Sequence, residues 1–322
     1  MTAGTLFALG LIGLAGSFVA GFRWPRLWLG MVLAAAFALL GAAVLILADG
    51  APWEWRSGFA LAGQPAHLWL DGLSALFLAL LAVVGGAGAA YSREYWSEED
   101  HPDSAPRGRV WWSAMLLSMA LLLTAGNGLH FLIAWEIFAI SGYFLIALDR
   151  RRPPARAAAW LYLGASHAGT LCLFAFFAAL AARTGSWDLV AIRGVAGLAP
   201  LFWLALAGFG VKAGLFPLHL WLPSAHANAP SHVSALMSGL AIKMGVYGLL
   251  RIALPLFGFE MAQIRTPLLI LAVITVVMGA WAAAAQKDLK RIFAYSSVNH
   301  LGYCQLAIFA LAIPATGAVI QS

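Results

Sequence analysis

Charge is scarce in this sequence. Charged residues make up 10% of the 322, against 62% hydrophobic ones, whereas a soluble domain carries about 25%. A water-facing surface needs those charges, so the deficit excludes an ordinary soluble domain and leaves lipid as the solvent. Cysteine is scarcer still. The two thiols, Cys172 and Cys304, lie inside apolar runs, and at that spacing they make neither a metal site nor a disulfide framework. They read as packing residues. A Gly-rich phosphate loop, a CxxC pair and a nucleophile elbow are also missing, so the chain has no visible means of binding nucleotide, iron–sulfur cluster or haem on its own. The formal charge of +6 does not point to nucleic acid. The arginines sit in short connections between apolar runs, with no basic stripe interleaved with stacking aromatics.

What the chain has in abundance is apolar length. A membrane-spanning helix needs about 20 apolar residues. Ten segments qualify, near 3–21, 28–48, 70–91, 110–125, 128–148, 157–182, 198–216, 232–257, 266–285 and 290–313. Tryptophans near their ends, including Trp24, Trp28, Trp96, Trp111, Trp112 and Trp221, suit headgroup depth. The first segment has no basic residues before it, and Arg23 and Arg26 follow it. That order fits a spanning helix rather than a cleaved signal peptide. Segment 51–69 is too polar and too short to span and reads as a hairpin-like surface excursion. With ten spans, twelve Lys and Arg residues fall in connections on one side and five on the other. The richer side is expected in the cytoplasm of a bacterial or archaeal inner membrane, with both ends of the chain outside.

Three ionisable residues lie well inside these spans: Glu136, Lys212 and Lys243. A charge at that depth costs about 2.5–3.5 kcal/mol on insertion scales and marks a functional position by default. The structural alternative has Glu136 neutralising one lysine in a bundle core. Two lysines against one glutamate leave an unbalanced cation, and such a set shifts protonation readily, as a proton relay requires. The stretch FPLHLWLPSAHANAPSH follows Lys212. Pro217 and Pro223 break a helix there at membrane depth, where broken helices line cavities or ion paths. The stretch also carries His219, His226 and His232, suited to proton shuttling; packing or capping is the plain alternative for each. Spacings of seven and six with no adjacent carboxylate or thiolate fit helical metal patterns poorly. A secondary polar path would use His167, Lys290, Ser297 and His300, although Lys290 can also serve as an anchor. Asp71 and Asp288, at span entrances, are expected to set helix ends.

The segments GVKAGLFPLHLWLPSAHANAPSHVSALMSGLAIKMGVYGLLR, AWEIFAISGYFLIAL, QKDLKRIFAYSSVNHLGY and DGLSALFLALLAVVG resemble the proton-conducting membrane subunits. That family comprises the antiporter-like subunits of respiratory complex I, the large Mrp-type antiporter subunits and the corresponding subunits of membrane-bound hydrogenases. APSHVSALMSGLAIK is most similar to hydrogenase-4 component B and the formate hydrogenlyase membrane subunit. The resemblance implies an all-α polytopic fold of two inverted five-helix repeats, each with one broken helix. It divides the chain into helices 1–3 with their loops (1–109), a first repeat of helices 4–8 (110–257) with a broken seventh helix, and the start of a second repeat (258–322). The second broken helix and its exit-side lysine or glutamate are not among these residues. Glu136 would be the fifth-helix glutamate, Lys212 the lysine of the broken helix, and Lys243 the eighth-helix lysine that receives the proton. The implied activity is redox-driven proton translocation within a multisubunit complex. This chain would hold no cofactor, and iron–sulfur, metal or quinone sites would sit in partner subunits. The alternatives are a subunit of an Mrp-type cation/proton antiporter, or a non-pumping scaffold.

Overall fold

In the computed structural model, residues 2–189 and 198–311 are described. Each of the ten expected spans contains helix, although the seventh, 198–216, is α-helical only over Phe202–Lys212 and the tenth is described as far as residue 311. The order is α1 (Ala3–Ala20), α2 (Pro25–Asp49), β1 (Trp53–Leu61), β2 (Gln64–Leu70), α3 (Gly72–Tyr95), α4 (Ala105–Thr124), α5 (Gly128–Ile146) and α6 (Pro153–Thr184). It continues with α7 (Phe202–Lys212), α8 (Trp221–Asn228), α9 (Ser231–Leu236), α10 (Lys243–Gly248), α11 (Leu254–Gln263), α12 (Arg265–Ala284) and α13 (Leu289–Leu311). Local chemistry sets the helix starts. Asp71 caps α3 by accepting from Ser74 N at 3.0 Å. Asn127 caps α5 by accepting from Leu129 N at 2.9 Å and His130 N at 3.3 Å. Asp288 accepts from Arg291 N at 2.9 Å. Prolines occupy the first turns of α2 and α4, where a missing N–H costs nothing.

Seven helices among the described residues are long and apolar enough to cross a membrane, with α9 to α11 counted as one span, Ser231–Phe257. Three expected spans fall outside that set. The α7 helix stops after 11 residues at the break. Arg107 and Arg109 open α4, and Lys290, Arg291, Ser296, Ser297, Asn299 and His300 make α13 more polar.

Segment 51–69 is the hairpin. β1 and β2 pair antiparallel from Trp53↔Leu70 to Leu61↔Gln64, with an irregularity between Arg56 and Ala60. The turn uses Ala62 (φ 52°) and Gly63 (φ 78°), the left-handed pair that a two-residue hairpin turn demands. The hairpin is pinned to the α4–α5 connection, where Gly126 N donates to the His67 carbonyl at 2.9 Å.

The chain divides into two compact units, Met1–Gly164 with Asn228–Leu240, and Ala165–Ala227 with Ala241–Ser322. In the first, Ser17 donates to Ser113 at 2.8 Å and the Trp28 indole donates to the same hydroxyl at 2.9 Å. Arg109, only 8% exposed, pairs with Glu98 at 3.0 Å and donates to the Gly21 carbonyl at 3.0 Å. In the second unit, α12 and α13 approach closely at small residues. A Cβ on Gly279 would lie 2.8 Å from Asn299 N, and one on Gly302 would lie 2.9 Å from Val276 N. Packing of this kind replaces the hydrophobic effect between helices in lipid.

Candidate proton relay at a broken helix

The second unit is organised around the end of α7. The helix terminates at Lys212, and Gly214 turns the chain through a left-handed conformation (φ 63°). Helix resumes at Trp221. Pro217 has no N–H to donate, and Pro223 sits in the first turn of α8, where proline is tolerated. Backbone groups freed at such depth must find partners inside the protein, and they do. Ala213 N donates to the Phe209 carbonyl at 2.8 Å, and Leu215 N to the Gly210 carbonyl at 2.9 Å. The Trp221 indole donates to the Val211 carbonyl at 2.9 Å. From α13, Gln305 donates to the Ala213 carbonyl at 3.0 Å, and Phe216 N donates to Thr275 of α12 at 3.3 Å.

Lys212 is 1% exposed. Its Nζ donates to Ser166 Oγ at 3.0 Å and lies 5.8 Å from the centre of the Trp221 ring. Both groups are neutral. They hold the ammonium by a hydrogen bond and a π face, while its place at a helix C-terminus is favoured by the helix dipole. Lys243 is half-buried and opens α10. It stands between two π-helical segments, Met237–Ala241 and Leu249–Ala253, a distortion that recurs at functional sites. Gly245 brings α10 against the end of α7, since a Cβ there would lie 2.7 Å from the Phe209 carbonyl oxygen and 2.9 Å from Ala213 Cα. The two lysines are therefore carried on elements in backbone contact.

The histidines are distributed differently. His219 lies in the break, half-buried and stacked on Phe216 at 5.6 Å. It lines a cavity of about 200 Å³ with Ser224, Arg291 and Tyr295, and its buried Nδ1 has no hydrogen-bond partner among the described residues. His226, in α8, is 1% exposed. His232 belongs to the first unit, where the rings of Trp112, Tyr95 and Trp96 surround it at 5.5, 5.8 and 6.2 Å. Glu136 is also in the first unit, half-buried on α5 between buried Trp135 and Phe138. In the second unit His167 is half-buried beside Ser166. On α13, His300 is exposed with Nδ1 2.7 Å from the Ser296 carbonyl, and Ser297 donates to the Phe293 carbonyl at 2.9 Å. Lys290 lies at the start of the same helix. Among the described residues no cluster of three His, Cys, Asp or Glu side chains is placed to hold a metal ion.

Sequence reasoning singled out the lysines but not what holds them. Ser166, next to His167, carries no sequence signal of its bond to Lys212. The bracing roles of Gln305 and Thr275 carry no sequence signal, and neither do the π-helical segments around Lys243.

Residues 125–321, more than half of the chain, match the transmembrane family of NADH:quinone oxidoreductase and Mrp antiporter subunits. The chain belongs to this family. It is 35% identical over 247 residues to hydrogenase-4 component B of Escherichia coli (strain K12), a match covering 75% of this chain and 36% of that protein. It is 33% identical over 324 residues to NADH-quinone oxidoreductase subunit M of the same organism, covering 93% of this chain and 62% of that one. Among solved structures it is similar to a chain of the Mrp complex from Dietzia sp. DQ12-45-1b, with a TM-score of 0.81 at 26% identity, covering 96% of this chain and 34% of that one. It also shares its fold with a chain of the membrane-bound sulfane sulfur reductase, an archaeal respiratory membrane complex, with a TM-score of 0.80 at 23% identity, covering 95% and 64%. The chain thus spans between about a third and two thirds of the length of these relatives. It is a multi-pass membrane protein of the antiporter-like fold, mostly helical, with the β1–β2 hairpin among its described residues.

Proposed function

We propose that this chain is a proton-translocating membrane subunit of a redox-driven complex of the hydrogenase-4 or complex I kind. The observation that carries the reading is Lys212: a lysine 1% exposed, on the end of a broken helix, held by Ser166 and Trp221. Such a lysine can change protonation only by exchanging its proton along an internal path, and the break supplies polar stations for one. Glu136 modulates the proton affinity of Lys212 electrostatically. Lys212 passes its proton toward Lys243 through water and one or more of the histidines His219, His226 and His232. His167, Lys290, Ser297 and His300 extend the polar path.

Moving a charge against the membrane potential costs about 2.3 kcal/mol per 100 mV, so the drive comes from outside this chain. Partner subunits supply the redox chemistry and hold its iron–sulfur, metal or quinone sites. The chain lies in a bacterial or archaeal inner membrane with its Arg-rich connections in the cytoplasm. Residues 110–257 act as one antiporter-like repeat. The test is Lys212→Met and Glu136→Ala in the intact complex. Protons moved per electron should fall to background in the first and several-fold in the second. Unchanged stoichiometry in Lys212→Met would sink the proposal.

A further inference from the structure

We infer that the cavity of the first unit lined by Arg26, Glu98, Arg109 and His232 is a water-filled inlet vestibule that delivers protons to His232. The inference rests on the proton-translocating reading above and adds the point at which a proton leaves bulk water.

The cavity measures about 380 Å³ and reaches from the Arg-rich connections to His232, which is enough for about a dozen waters. Its wall carries three carboxylates, Glu94, Glu98 and Glu99, and three guanidiniums, Arg26, Arg93 and Arg109. Opposite charges in equal number leave the wall without a net charge of one sign. They keep the space hydrated and put exchangeable carboxylates at the water's edge. One pair is a fixed strut: buried Arg109 holds Glu98 at 3.0 Å and is anchored on the Gly21 carbonyl. The carboxylate is therefore presented at the wall instead of collapsing into the space.

His232 is 4% exposed. On its other sides it meets Tyr95 and Trp96 at the end of α3 and Trp112 of α4. His101 lies behind Trp96, stacked at 3.6 Å. Tryptophan does not titrate, so the Trp96 and Trp112 rings pack against the imidazole without competing for the proton. Imidazole can take a proton on one nitrogen and release one from the other. His232 also opens the span that carries Lys243. A proton accepted from cavity water or a wall carboxylate thus enters the chain at the foot of the helix that bears the second lysine.

The experiment uses the intact complex in inverted membrane vesicles, with Cys172→Ser and Cys304→Ser as background. His232→Ala should lower proton uptake about tenfold, and imidazole added to the medium should restore it, because the cavity admits the ring to the vacated position. Separately, Ser92→Cys, on the cavity wall, should react with a membrane-impermeant cationic thiol reagent, and the reaction should reduce uptake at least fivefold. Failure of imidazole to rescue, absence of labelling at Ser92→Cys, or full labelling with undiminished uptake would each overturn the inlet. Lys212→Met run in parallel separates the two claims. If it abolishes translocation while the inlet tests fail, only the inlet is lost.

Discussion

Gly245→Ala is the sharpest test of how the lysine-bearing elements are placed. A Cβ at this position would meet only backbone: the Phe209 carbonyl oxygen at 2.7 Å, Ala213 Cα at 2.9 Å and, nearer still, Ala213 N. No flexible side chain can swing away. Ordinary contact begins near 3.4 Å, so α10 and the last turn of α7 must separate by about 0.7 Å or more. Overpacking of this kind costs about 1–3 kcal/mol, with the upper half expected because both partners are backbone. That last turn ends in Lys212, so the displacement falls on the candidate relay as well as on stability. Two controls grade the effect. A Cβ on Gly239 would meet the Val84 side chain at 3.1 Å, a contact that a small side-chain shift relieves, and one on Gly164 meets nothing within 4 Å. Thermal midpoints of the detergent-solubilised complex should therefore fall most for Gly245→Ala and slightly for Gly239→Ala. For Gly164→Ala they should hold or rise, by up to about 1 kcal/mol of helix propensity. Proton uptake should drop about tenfold in Gly245→Ala alone. Equal midpoints and equal uptake for Gly245→Ala and Gly164→Ala would refute the close approach.

Three further perturbations probe other parts of the argument. Ser166→Ala removes the hydroxyl that accepts from the Lys212 ammonium at 3.0 Å. A hydrogen bond to a charged group contributes about 1.5–3 kcal/mol, so the thermal midpoint should fall measurably, and Ser166→Thr should recover part of the loss. Asn127→Ala strips the side-chain oxygen that accepts from two N–H groups at the start of α5. It should cost about 1 kcal/mol, read as faster hydrogen exchange in the first turn of the helix that carries Glu136. The hairpin should respond to acid. Glu54 is held below the ordinary glutamate value of 4.5, chiefly by its hydrogen bond from Arg56 and further by the nearby His67, against a smaller opposing effect of burial. A carboxylate depressed in the folded state contributes stability above its unfolded pKa and loses it as pH falls through the folded value. Protection factors in β1 and β2, taken against the intrinsic exchange rate at each pH, should therefore fall below about pH 4.5, and Glu54→Gln should flatten that dependence.

The positions of the helices were legible because lipid imposes a long apolar period that little else in a sequence imitates. The break was legible for a related reason. Pro217 and Pro223 between apolar runs cannot be reconciled with an unbroken span, and the helix does stop at Lys212. The hairpin at 53–70 was legible as an excursion, but its pairing was not, because the positive φ at Ala62 has no residue signature. What stayed hidden is what depends on distant neighbours. Gln305 lies 92 residues from the carbonyl it caps, and Thr275 lies 59 residues from the N–H it receives; neither differs in type from any polar residue in a span. Ser166 is a hydroxyl in an apolar run, and its partner 46 residues away cannot be read from it. The π-helical segments flank the stretch where Gly245 and Gly248 let α10 press on α7, a tertiary contact invisible to local pattern.

These long-range bonds change how α12 and α13 are understood. By sequence they are only the opening of a second repeat. In the structure they supply the two side chains that close the backbone of the break, Thr275 at Phe216 N and Gln305 at the Ala213 carbonyl. Gln305 is fully buried, and its Nε2 donates to the Ala213 carbonyl at 3.0 Å, which offsets part of the cost of burying the amide. Without that donor the Ala213 carbonyl, one residue past Lys212, would be left to turn toward the lysine or toward water. Either move would alter the polar surroundings of the ammonium. A helix broken in lipid is thus stable only with its braces, and α12 and α13 belong to the relay's structure even though neither carries Lys212 or Lys243.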